Sequence, residues 1–189
     1  MNARSTLLII AVLFGFADCF AQENQAEARS PYVNEMSREI KALSVEQIRR
    51  FLDGEGMGFA KAAELNGFPG PRHVLDLAGE LKLSKEQTDL VQSRYFSMNG
   101  DARRLGAQLV DAEKRLNELF SSGTVSEESM TNLLESVGAL TARIRVTHLK
   151  AHLTMMEILT GAQVEQYNEL RGYGASDDHD AEKHSGHKM

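Results

Sequence analysis

His148 and His152 stand four residues apart in the stretch HLKAHLTMM, and Met156 follows one turn later. On an α-helix that spacing puts all three side chains on one face. Imidazole plus thioether is a donor set for borderline or soft transition metals such as nickel, cobalt, copper or zinc. Two imidazoles are too few for a closed site, which takes three or four donors. His73 is the third candidate, because it lies ahead of the same helical region and can return beside it. The alternative use of His148 and His152 is as flank histidines that close an apolar seam with hydrogen bonds. A second, weaker group is the tail GASDDHDAEKHSGHKM, with His179, His184 and His187 among aspartates. Short His-rich tracts bind metal loosely, and this tail has no apolar periodicity, so it is expected to be disordered.

The elements that must position the histidine pair are legible on either side of it. From Val91 the apolar positions run Tyr95, Met98, Ala102, Leu105, Leu109, Ala112, Leu116, Leu119, in steps of four and three. That is a heptad seam, and it predicts a helix over about residues 85–120. Ser121-Ser122-Gly123 ends it, with Gly123 suited to a left-handed terminus. A second run follows through Met130, Leu133, Val137, Leu140, Ile144, Thr147, Ala151, Met155 and Ile158. Two matched amphipathic helices joined by a short connection form an antiparallel hairpin. The expected fold is all-α, a long helical hairpin with flanking short helices. Apolar residues off the seam (Leu90, Phe96, Val110, Phe120, Leu134) call for further cover, either from the flanking short helices or from a second copy of the chain, and a homodimer is the expected source.

Three segments, Leu43–Gln47, Leu83–Gln87 and Leu159–Gln163, read L-[S/T]-x-x-Q. Each predicts a helix start: the hydroxyl caps the amide three residues on, and Gln reaches back to the cap's own amide. The preceding Leu serves as a staple.

Composition narrows the function classes. The 189 residues carry a net charge of −6, 25% charged and 42% apolar residues, no Trp and 3 Pro. This is a globular balance with no reason to bind nucleic acid. Cys19 is the only cysteine, so no internal disulfide forms. No G-x-S-x-G elbow occurs, and Gly54, Gly56 and Gly58 lack the strand-to-helix setting of a phosphate loop; no enzyme is expected. The apolar run Leu7–Phe16 follows Arg4 and is well short of the ~20 residues that span a bilayer. It predicts a secretory signal over residues 1–21, cleaved after Ala21, with a lipid-modified Cys19 as the alternative. Residues 22–55 are expected to form a polar segment and short helix, 56–173 the hairpin domain, and 174–189 the tail.

An exported all-helical chain with L-[S/T]-x-x-Q boxes before the first hairpin helix and after the second resembles the LTxxQ superfamily of the Spy/CpxP type. The likeness covers roughly residues 71–173, and the segment 56–73 (GMGFAKAAELNGFPGPRH) is similar to a branch of periplasmic heavy-metal sensors. The resemblance implies a cradle-like homodimer without enzymatic activity. It implies either metal sensing or resistance, with a membrane-bound sensor kinase or anti-sigma factor as partner, or ATP-independent chaperoning of unfolded clients. The family's nickel/cobalt sensors place a His-x-x-x-Met pair before the last box, which His152 and Met156 match. They place a His-x-x-x-His pair before the first, reduced here to His73 with Asp76 and Glu80.

Overall fold

The computed structural model describes residues 29–173; the signal segment, Cys19 and the histidine tail lie outside them. The chain divides into two units after Lys41. In the first, residues 33–35 form one 3₁₀ turn, and Arg38 pairs with Glu35 at 2.9 Å. Among its described residues the second unit contains six helices: α1 (Val45–Leu52), α2 (Lys61–Glu64), α3 (Pro71–Asp76), α4 (Lys85–Ser122), α5 (Glu127–Ile158) and α6 (Gly161–Leu170).

α4 and α5 are the two arms of the hairpin. Gly123 sits between them at φ 70°, a conformation that costs a residue with a Cβ about 1 kcal/mol or more. Val91, Ala102, Leu105, Leu109 and Ala112 of α4 are buried, as are Leu140, Ile144, Ala151 and Met155 of α5. Toward the tip, Leu116, Leu119, Met130, Leu133 and Val137 are only half-buried. The seam differs from its sequence reading at one step. Thr147 is half-buried and donates its hydroxyl to the Arg143 carbonyl at 3.0 Å, whereas His148 is buried. Steps of four then three (Ile144, His148, Ala151, Met155) fit a heptad as well as three then four, and a polar wall beside His148 selects the former.

All three L-[S/T]-x-x-Q boxes are reciprocal caps: Ser44 with Gln47, Ser84 with Gln87, and Thr160 with Gln163. Two of them also hold each other. Gln87 Nε2 donates to Gln163 Oε1 at 2.9 Å, and Gln163 Nε2 donates back to Gln87 Oε1 at 3.1 Å. The same two amides also donate to the Ile158 and Leu81 carbonyls at 2.9 and 3.1 Å. The entry of α4 and the exit of α5 are thereby latched at the open end of the hairpin. Beneath the latch lies the core cluster Val74, Leu81, Val91, Met155, Leu159 and Tyr167, with Leu83 and Val164 packed on it.

α1 docks on the middle of α4 through backbone. A Cβ on Gly106 would overlap the Phe51 carbonyl oxygen and stand 2.8 Å from its carbon. The carbonyls that α1 leaves unpaired at its end are taken by α4: Asn99 Nδ2 donates to Asp53 at 2.9 Å and Arg103 Nε to Leu52 at 3.2 Å. Gly106→Ala should therefore destabilise by about 1–2 kcal/mol, overpacking outweighing the gain in helix propensity. Gly100→Ala and Gly138→Ala, on the same two arms with open space around them, should instead stabilise by about 0.5–1 kcal/mol. Urea midpoints of the three variants check the opposite signs.

Candidate functional site

α3, the loop from Asp53 to Gly58 and the open half of the hairpin enclose a cavity of about 770 Å³. His148 and His152 form its α5 wall, Tyr95, Met98 and Asn99 its α4 wall, and His73 and Asp76 its α3 rim. The three histidines singled out by spacing thus line one space. Met156 does not: its side chain is exposed and lies outside the cavity lining. Met57, from the glycine-rich loop, lines the space together with Met98.

The two α5 imidazoles are prepared differently. His148 is 4% exposed, and its Nε2 is buried without a hydrogen-bond partner. Burial, reinforced by the neighbouring His152, pushes its pKa down to about 4, so the ring is neutral at pH 7. His152, 6% exposed, sets Nδ1 2.8 Å from the Phe68 carbonyl. A carbonyl only accepts, so Nδ1 carries a proton, and in the neutral ring Nε2 is the nitrogen with the lone pair. Fixing one ring nitrogen on a backbone carbonyl so that the other is a free donor is how ligand histidines are held.

The surroundings leave room at that lone pair. A Cβ on Gly70 would stand 3.3 Å from His152 Nε2 and 3.0 Å from Cε1. Gly70 precedes Pro71, the first residue of α3, so the cradle at Nε2 exists because the α3 cap lacks a side chain. His73 is more open, its Nδ1 3.5 Å from Asp76 Oδ2.

Behind His152 lies a group that periodicity and spacing did not single out. Glu64 Oε1 accepts from Tyr167 at 2.7 Å and Tyr173 at 3.3 Å, and sits 3.5 Å from Arg171 Nε. Its Oε2 is 3.7 Å from His152 Nδ1. Tyr167 is fully buried and accepts from the Gly70 amide at 3.3 Å; burial and its bond to Glu64 push its pKa up. Glu64 thus ties α2 to α6 and the residues just after it, and backs the His152 ring. Glu64→Ala, which leaves Tyr167 and Arg171 short of a partner, should cost about 2–3 kcal/mol in a urea titration.

A transition metal fits this site in part. Both His148, with its partnerless Nε2, and His152, with the Gly70 cradle at its Nε2, line one space. Among the described residues no three His, Cys, Asp or Glu side chains come together as a ready-made ligand group. A third donor comes either from movement of His73 or from another residue type. Among the described residues no helix is long and apolar enough to cross a membrane.

No family model matches the chain, and no curated protein or solved structure does either.

Proposed function

We propose that this chain is a periplasmic metal-responsive protein, a binding protein and not an enzyme. It takes a transition metal (nickel, cobalt, copper or zinc) at His148 and His152, with His73 as the mobile third donor. The reading rests on one observation: two buried histidines line one cavity, His148 with a ring nitrogen that has no partner and His152 with Nδ1 held on the Phe68 carbonyl. An unmet buried polar atom costs about 1–3 kcal/mol, a cost that a bound cation removes. Recruiting His73 ties α3 to α5 and alters the surface offered to a membrane-bound sensor kinase or anti-sigma factor, with a cradle-like homodimer as the working unit.

Calorimetric titration of residues 22–189 with Ni²⁺, Co²⁺, Cu²⁺ and Zn²⁺ tests this, in a background where His179, His184 and His187 are alanine. The His148→Ala/His152→Ala variant should bind at least tenfold more weakly, since the site loses both of its fixed donors. Unchanged affinity removes the site. His73→Ala should lower affinity less.

A second reading, the ATP-independent chaperone, has its own support. Leu90, Phe96, Phe120 and Leu134 are exposed along the hairpin, Phe96 at 68%, and exposed apolar surface marks an interaction face. Light scattering from a denatured client checks it: suppression at one dimer per client is expected, and unaltered aggregation rejects the chaperone.

A further inference from the structure

Met57 and Met98 bring thioethers to the cavity from two independent elements. Met98 lies in the α4 seam. Counted back from Ser122 and forward from Glu127, the facing ends of the two arms, Met98 falls level with Ala151, between His148 and His152 on the facing helix. It is half-buried where Leu105 and Leu109 further along are buried, because the cavity opens beside it. Met57 arrives in the loop Gly54–Gly58 at φ +44°, a left-handed conformation between two left-handed glycines. Glycine would hold that backbone without strain, yet the position carries the cavity-lining thioether. Its neighbour Gly56 brings the loop onto the ring: a Cβ there would stand 3.9 Å from His148 Nδ1.

The carboxylates of the cavity are already engaged. Glu64 is held by Tyr167, Tyr173 and Arg171. Glu55 pairs with Arg50 at 2.7 Å and Asp53 with Arg49 at 2.7 Å, while Asp76 faces His73. The donors left are therefore the buried imidazoles of His148 and His152, the more open His73 on the rim, and two thioethers. Such a set carries no negative charge and is soft, which disfavours a hard or doubly charged ion in a buried place and favours monovalent copper.

We infer that the cavity binds Cu(I), held by one ring nitrogen each of His148 and His152 and by the sulfurs of Met57 and Met98. This rests on the metal-binding reading above and names its ion. His73 is then a rim residue.

The test is an anaerobic competition of Cu(I) between the protein and a chromophoric Cu(I) chelator, using residues 22–189 with the three tail histidines replaced by alanine. One Cu(I) per chain is expected. Met57→Leu/Met98→Leu, a volume-conserving change, should weaken Cu(I) at least tenfold and leave Zn²⁺, Ni²⁺ and Co²⁺ affinities unaltered. Ag(I), a redox-inert soft ion, should follow Cu(I). X-ray absorption of the copper-loaded protein should show sulfur in the first shell, lost in the double variant, whose urea midpoint verifies that it is folded. Cu(I) affinity indifferent to both methionines, or a shell of nitrogen alone, overturns the copper assignment. If histidine-dependent binding of divalent ions survives that result, the parent reading stands; if the histidine variants change no metal's affinity, both fall.

Discussion

Replacing Gln87 and Gln163 together by glutamate should lower the stability of the protein by about 4 kcal/mol, and each single replacement by about 2 kcal/mol. Each amide does three jobs at once. Its oxygen accepts the backbone N–H of its own cap, Ser84 at 3.0 Å or Thr160 at 2.9 Å. Its nitrogen donates across to the other glutamine and to a carbonyl at the end of a neighbouring segment. Glutamate keeps the first job, so the helix starts survive. It abolishes the second, leaving the Ile158 and Leu81 carbonyls without donors and setting carboxylate oxygens against oxygens. In a domain of this size each kcal/mol moves the midpoint by roughly 2–4 °C, so the double variant should melt about 8–16 °C lower. Helix content by circular dichroism should be retained below the transition. The pH dependence provides a second check. A pair of facing carboxylates regains a donor when one takes up a proton, so the double variant's deficit should narrow as pH falls toward 5. A deficit that is absent at pH 7, or constant with pH, rejects the latch.

The latch also shows what a single sequence conveys. The boxes were readable as helix starts because a cap is local: hydroxyl, three residues, amide. Why the last residue is Gln and not Glu was not readable, because the reason lies on the other box, 76 residues away. The hairpin was legible from its two heptad runs and from Gly123, all local periodicity. The docking of α1 was not, because Gly106 reads as a mild helix defect until the Phe51 carbonyl is seen against it. At the site, i, i+4 spacing foretold that His148 and His152 share a face. Spacing carries no information on burial, and the depth of both rings comes from α3 and the 53–58 loop. The same limit applies to Met156, which continues the helical face but passes beyond the cavity, and to Glu64, whose partners are brought to it from far along the chain by tertiary contacts.

The depth of His148 makes acid the second strong perturbant. Between pH 6.5 and 4 stability should fall by about 3 kcal/mol from this residue alone. In the unfolded chain the imidazole takes up a proton near pH 6.5; in the folded protein burial and His152 delay that to about 4. Above 6.5 both states hold a neutral ring, and pH has no leverage through it. From 6.5 downward the unfolded state binds the proton that the native state refuses, so unfolding gains about 1.4 kcal/mol per pH unit. Below about 4 both states are protonated and this contribution levels off. Urea titrations at pH 7 and 5 should differ by about 2 kcal/mol in the wild type from this source. A His148→Leu variant should show a difference smaller by that amount, whatever the substitution does to stability at pH 7. Equal slopes in the two proteins would falsify the assignment. The depressed pKa also bears on the site: at the His148 ring, protons compete only weakly with a metal for the nitrogen down to about pH 5.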